Sequence, residues 1–401
     1  MPTYRQAESV SSAPFSKSTL YFAIILIGAN LRAPITCVGP LLPEIQSSLH
    51  LRGLGAGTLN ALPLLIFATL SLVAPATGRR YGMKRVLAVA LCGIALGTLG
   101  RSLPVHGAIW MGTALLSAGI AFGNVLLPGL VKQEFPTRAA GLIGYYAAAM
   151  AGFAGLAAGV AVPVAQRHGS DWRWAAGIWA LPAFAALALW LPQTRTDAEQ
   201  YQTTMPAPVG GRLSPWRHSI GWQVSLFFAL HSMVFYSLVD WFPSYAAASG
   251  IAPVRAGWYL LVYQGVAIAT NLGSAPLIRR SDNQKLLGFA CGLLLLIGTS
   301  GLLLLPGYSL LWLIAAGLGA GVAMVTSLSL FALRTGDHHQ AASLSGMAQF
   351  VGYAGAAAGP FLVGVLREIA GNWTYAILLL TVASALVSVF ATLAGRRQII
   401  A

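Results

Sequence analysis

Three ionisable side chains lie deep within long apolar stretches of the sequence: Arg32, His231 and Asp240. An ionisable group in hydrocarbon costs about 2.5–3.5 kcal/mol even on an insertion scale, so it usually faces a cavity and marks a function. The guanidinium of Arg32 stays charged in any environment. Its planar fork of donors suits a small anion or a carboxylate. The competing reading is a fixed ion pair with Asp240 that makes both residues scaffold, though their levels differ by about 12 Å of helix rise. His231 and Asp240 are candidates for proton coupling, because a neighbouring field can bring either into the physiological range. Each has a plainer alternative: an interhelical hydrogen bond for His231, an outer gate or interface position for Asp240. Uncharged polar residues at similar depth complete a candidate substrate-binding lining: Asn30, Asn124, Tyr145, Tyr146, Tyr236, Tyr263, Gln264, Gln349 and Tyr353. Any one of these could be only an interhelical hydrogen bond. As a set, their aromatic share suggests a small, partly flat substrate.

The elements that must position these groups follow from composition. The 401 residues include only 24 Lys and Arg and 10 Asp and Glu, 8% charged, against 57% apolar. Mean hydropathy is +0.71. Too little polar material exists to cover a water-facing surface, which excludes a soluble enzyme, a disordered chain and a disulfide-stapled secreted domain. A helix needs about 20 apolar residues to cross the hydrocarbon core. Twelve such runs can be read, at 20–43, 54–78, 86–104, 107–131, 139–165, 174–192, 221–246, 255–278, 286–305, 308–333, 343–366 and 373–394, numbered here as spans 1 to 12.

Even parity puts both termini on one side. With those termini cytoplasmic, 17 of the 24 basic residues fall on inside segments. Six fall outside (Arg52, Arg101, Arg167, Arg173, Arg255 and Arg367), and Arg32 lies within span 1. The positive-inside rule therefore predicts two cytoplasmic termini and reads the net charge of +14 as a membrane signature, with no nucleic-acid partner. The first apolar run has no small-residue cleavage site after it, so the chain is expected to start with an uncleaved helix.

The two halves of the sequence repeat at an offset near 200. Pro43 matches Pro243, Arg79-Arg80 matches Arg279-Arg280, Cys92-Gly93 matches Cys291-Gly292, and Asp171-Trp172 matches Asn372-Trp373. The expected architecture is an all-α membrane protein of two six-helix bundles related by pseudo-twofold symmetry, with a substrate site near the midplane. Its segments would be a cytoplasmic tail (1–19), the first bundle (20–192), a cytoplasmic linker (193–220), the second bundle (221–394) and a short cytoplasmic tail (395–401).

No enzyme constellation is present: there is no paired-carboxylate site, HExxH, CxxC, nucleotide-binding glycine loop or serine elbow. Cys37, Cys92 and Cys291 read as small buried hydrophobes. His338-His339 reads as a polar pair on the loop between spans 10 and 11. Neither a metal nor a cofactor is expected.

The stretch Asn30-Leu31-Arg32-Ala33-Pro34-Ile35-Thr36, followed by Val38-Gly39-Pro40-Leu41-Leu42-Pro43, resembles the first helix of the cyanate/2-nitroimidazole permease (CynX/NimT) family of the major facilitator superfamily. The resemblance continues through Asn124-Val125-Leu126-Leu127-Pro128, Lys132, Phe135-Pro136, Trp172-Arg173, Trp241-Phe242-Pro243 and Ser345-Gly346-Met347-Ala348-Gln349 with Gly352-Tyr353. It implies the major facilitator fold, no enzymatic activity, and secondary transport of small anions or small polar aromatics, with Arg32 as the expected substrate contact. One departure concerns the loop after span 2, where Arg79 stands in place of the superfamily's usual Asp. His231 and Asp240 are not the family's usual span 7 residues either.

The expectation is a proton-coupled symporter of the bacterial inner membrane, working by alternating access on a cyanate-like anion, a carboxylate or a nitroimidazole. Its partners would be that small molecule, the proton gradient and the bilayer, and it would act as a monomer. Efflux of a drug or nitroaromatic by the same fold is the alternative.

Overall fold

A computed structural model describes residues 17–51, 53–167, 171–194, 214–281 and 283–400. In hydrocarbon every backbone N–H and C=O must find a partner within the protein, and long apolar segments can do this only as helices. Among the described residues twelve helical segments are long and apolar enough to cross a membrane: Lys17–Leu42, Ala61–Tyr81, Met83–Arg101, Ala108–Glu134, Ala139–Arg167, Trp172–Trp190, Ser219–Ala248, Arg255–Ile278, Lys285–Leu304, Pro306–Leu333, His338–Ala370 and Thr374–Ala394. They correspond one to one with spans 1 to 12.

Two spans are not continuous helices. Span 1 runs as Lys17–Asn30, breaks at Leu31-Arg32, resumes as the single turn Ala33–Thr36 and continues as Val38–Leu49. Pro34 lies in the first turn of the short piece. It has no N–H to donate and would clash with the carbonyl four residues back, so the ladder opens before it. Span 6 breaks in the same way between Trp172–Gly177 and Ala180–Trp190, just ahead of Pro182.

Span 11 begins five residues earlier than the sequence suggests. Asp337 Oδ1 accepts from the backbone N–H groups of His339 (2.7 Å) and Gln340 (3.0 Å). This N-cap draws His338-His339 off the expected loop and into the first helical turn. Most of the expected linker and N-terminal tail lies outside the described residues, although Lys17–Thr19 already belong to the first helix. The 395–400 segment is docked. Ile400 is fully buried, and its N–H donates to the Arg334 carbonyl at 2.9 Å.

Tyr21 packs edge-on against Phe135 at 5.9 Å, which puts the start of span 1 at the same end of the bundle as the span 4–5 connection. Lys132, just before that connection, bonds to Thr335, beside which Ile400 docks, so the first and last described residues lie at one end, called here the terminus end.

The repeat is visible in side-chain chemistry there. In the first half Lys84 and Glu134 form an ion pair of 2.8 Å. Two hundred residues later the same positions hold Gln284 and Arg334, which are hydrogen-bonded to one another with the basic partner exchanged between helices. Arg334 also donates to the carbonyls of Ala394 (2.7 Å) and Gly395 (3.0 Å).

The halves meet through spans 2 and 11, 4 and 11, 5 and 8, and 5 and 10. At Gly144 a Cβ would lie 2.3 Å from that of Ala275, and at Gly346 it would lie 2.5 Å from the Ser71 carbonyl oxygen. Only glycine permits helices from opposite halves to come this close. Both positions are near the terminus end, so the halves are closed together there.

Candidate substrate site

The break in span 1 places Arg32. Its backbone (φ −131°, ψ −40°) is off the helix, and its carbonyl starts the next turn by accepting from Ile35 and Thr36 at 3.0 and 3.1 Å. The broken segment is braced within its own half. Thr36 Oγ1 donates to the Ala154 carbonyl of span 5 at 3.0 Å. Asn30 Nδ2 donates to the carbonyls of Leu26 (2.8 Å) and Pro182 (3.2 Å). Asn30 is thus buried with both amide hydrogens engaged in scaffold contacts, away from the Arg32 head group. Asn30→Ala is expected to cost about 1–3 kcal/mol, read as a fall of several degrees in melting temperature, while ligand affinity at Arg32 stays within about twofold. Melting curves with and without ligand check both parts.

Arg32 is half-buried and crosses between the halves. Its Nη1 donates to the Tyr236 hydroxyl of span 7 at 3.1 Å. Tyr353 of span 11 and His231 of span 7 lie within its electrostatic reach. Tyr353 is fixed by Asn124 Nδ2 of span 4, which donates to its hydroxyl at 3.3 Å, and by Phe67 of span 2 with ring centroids 5.0 Å apart. Below it, Ser345 Oγ donates to the Asn124 carbonyl at 3.4 Å and accepts from Gln349 Nε2 at 3.4 Å. Among the described residues no carboxylate lies within 4.0 Å of Arg32. The group is a cation with phenols and aromatic faces around it and no counter-charge.

The other expected lining residues are distributed differently. Tyr146 is buried against the backbone of Gly28, one turn before Arg32. Tyr145, next to it in sequence, is about 45% exposed and packs towards Tyr21, so it is not brought to Arg32. Tyr263 is fully buried in the second half against Phe235, at 5.6 Å, with its hydroxyl making no hydrogen bond in the protein. Gln264 is exposed.

His231 is buried between Phe227 and Phe228 (centroids 5.5 and 5.3 Å away), with Nε2 3.3 Å from Ser327 Oγ. Asp240 is exposed, one turn beyond Tyr236 on the same helix, with no ion-pair partner among the described residues. The direct Arg32–Asp240 pair weighed from the sequence is therefore not formed. Phe67, Phe228, Ser327 and Ser345 were not legible as site residues, because an apolar or small side chain in an apolar span carries no signal of its own.

One more charged residue joins the halves. Lys132, at the terminus end of span 4, donates through Nζ to the carbonyls of Ala332 (2.5 Å) and Thr335 and to Thr335 Oγ1 (3.1 Å). These are end-of-helix acceptors of span 10, where a cation also meets the negative end of the helix dipole.

Residues 20–360 match the family profile of the Major Facilitator Superfamily. The chain belongs to the Major Facilitator Superfamily. It is similar to the 2-nitroimidazole transporter of Escherichia coli (strain K12), 36% identical over 97% of this chain and 98% of that protein. It is also similar to the cyanate transport protein CynX of the same organism, 30% identical over 88% of this chain and 91% of the relative. These two relatives place it in the cyanate/2-nitroimidazole branch of the superfamily. Among solved structures, the superfamily transporter FucP in the outward conformation superimposes with a TM-score of 0.73 at 14% identity, covering 94% of this chain and 99% of that one. The superfamily consists of transport proteins, and the chain is a multi-pass membrane transporter and not an enzyme.

Proposed function

We propose that the chain carries a small planar compound with an anionic or nitro oxygen across the bacterial inner membrane by alternating access, with both termini cytoplasmic. The observation that supports this most is Arg32: a mid-span guanidinium without a carboxylate beside it, set where span 1 reaches across to span 7. A bound oxygen pair matches its donor fork, and the Tyr236, Tyr353 and Phe67 rings supply flat apolar contact. The compounds named for the two relatives, 2-nitroimidazole and cyanate, are both small; the first is planar and the second linear.

Tyr236 accepts from Arg32, so an incoming oxygen replaces that phenol. The replacement cuts or remakes the link between the halves, which ties occupancy to their rocking. In the closed arrangement at the terminus end, the substrate enters from the opposite side.

Asp240 is our assigned proton carrier. Its carboxylate is accessible, unpaired and one turn from Tyr236, whereas His231 is held in an aromatic enclosure and positions span 7 on span 10. In proteoliposomes, Asp240→Asn is expected to abolish accumulation driven by an imposed pH gradient while leaving substrate exchange within about threefold of wild type. Undiminished gradient-driven accumulation in Asp240→Asn rejects the assignment.

Thermal stabilisation of the purified protein identifies the substrate class, because a ligand that binds the folded state raises the melting temperature by mass action. Stabilisation by cyanate or benzoate that vanishes in Arg32→Ala supports anion recognition. Similarity to the 2-nitroimidazole transporter favours a second reading, export of a nitroaromatic. Resistance to such a compound on expression, without uptake of any anion, would select it.

A further inference from the structure

Arg101 ends span 3 at the end opposite the termini, and the sequence places it among the outside basic residues. In the structure it is about 1% exposed. Its Nη2 donates to Cys37 Sγ (3.3 Å) and to the Ala176 carbonyl (3.2 Å). Its Nε and Nη1 make no hydrogen bond in the protein, and among the described residues no carboxylate lies within 4.0 Å. The indole Nε1 of Trp172, itself 2% exposed, is equally without an acceptor.

Both side chains line one cavity, whose other walls include Ile35, Leu59, Pro63 and Ile109. They also line a second, adjoining one that adds His106 and Arg173. Two carboxylates sit on neighbouring elements: Asp171 lies 3.5 Å from the Arg173 guanidinium, and Glu44 of the outer part of span 1 has a buried Oε2 without a hydrogen-bond partner, but neither reaches Arg101 within 4.0 Å.

A buried guanidinium without a counter-charge is costly, and three buried donor nitrogens without acceptors add to that cost. Guanidinium and indole nitrogens in proteins are donors only, so what completes them must accept, and a negative charge offsets the cation. Water would satisfy the hydrogens and leave the charge unpaired. Apart from Thr113, the rest of the first cavity's lining is apolar, too few donors to replace a tight hydration shell, which argues against sulfate and phosphate.

We propose that Arg101 and Trp172 form a second anion site, separate from Arg32, that holds a weakly hydrated monovalent anion such as bromide or iodide. It braces the outer part of span 1 against spans 3 and 6, since Cys37, Arg101 and Ala176 come from those three spans.

The test uses the purified full chain at constant ionic strength, with gluconate replaced stepwise by bromide. The melting temperature of wild type should rise by several degrees and saturate. Arg32→Ala should respond identically, which separates this site from the proposed substrate site. Arg101→Met should show no bromide dependence. A wild-type melting temperature indifferent to bromide, a response retained in Arg101→Met, or one lost in Arg32→Ala overturns the proposal. Should Arg101→Met fail to fold, iodide quenching of indole fluorescence decides. Wild type should show a saturable quenching component that Trp172→Phe lacks, and purely linear quenching in both rejects the site.

Discussion

Arg32→Ala is expected to weaken binding of an anionic or nitro substrate by at least about 30-fold while leaving the protein folded. Removing one member of a desolvated charge pair costs about 2–5 kcal/mol, and each 1.4 kcal/mol is a factor of ten. The fold should survive because Arg32 contributes one side-chain hydrogen bond, to Tyr236 across the halves, whereas the brace on span 1 comes from Asn30 and Thr36. Arg32→Lys should recover only part of the affinity, since an ammonium keeps the charge and loses the planar fork. Isothermal titration with benzoate, 2-nitroimidazole and cyanate measures both variants. If Arg32→Lys matches wild type, charge alone suffices and the bidentate geometry is irrelevant.

Lys132→Ala should release the terminus end. The ammonium bonds to Ala332 and Thr335 across the halves, and hydrogen bonds from a charged group contribute about 1.5–3 kcal/mol each. A net loss near 2 kcal/mol moves the balance between the closed and open arrangements by about 30-fold. Spin labels at Tyr81 and Leu286, both exposed at this end and in opposite halves, report the change as a distance. With Cys37, Cys92 and Cys291 replaced by serine, the single short distance of the parent should gain a longer population in Lys132→Ala. An unaltered distribution means that glycine contacts such as Gly144 on Ala275 hold the closure without the lysine.

Much of the architecture was legible in the sequence, because span length and charge asymmetry are imposed by the bilayer itself. The twelve spans and the near-200 repeat required no tertiary information. Local backbone events were harder to read. Pro34 fits comfortably in an apolar run, and only the structure shows that it opens the helix at Leu31-Arg32. Asp337 looks like a loop residue until its carboxylate is seen capping span 11.

Depth along a helix was readable, but direction around it was not. Adjacent residues point about 100° apart, so Tyr145 and Tyr146 share a level while one faces outward and the other packs on Gly28. Asn30, two residues from Arg32, turns to span 6. The end of a span at which a basic residue sits does not tell what its head group touches, since stem and head can lie in different environments. Arg101 counts as an outside charge and is buried. Lys132 counts as an inside charge, yet its head joins the halves. The exchange of Lys84–Glu134 for Gln284–Arg334 hides a structural equivalence that a charge pattern alone does not show.

In the proposed function Arg32 recognises a planar, oxygen-bearing substrate that the protein then carries across the bilayer. That role is tested most directly by flux into proteoliposomes of radiolabelled cyanate, benzoate and 2-nitroimidazole, comparing wild type with Arg32→Gln at matched melting temperature. Protein-dependent flux of at least one of the three is expected in wild type, and its loss in Arg32→Gln. Equal flux through both proteins would contradict that role.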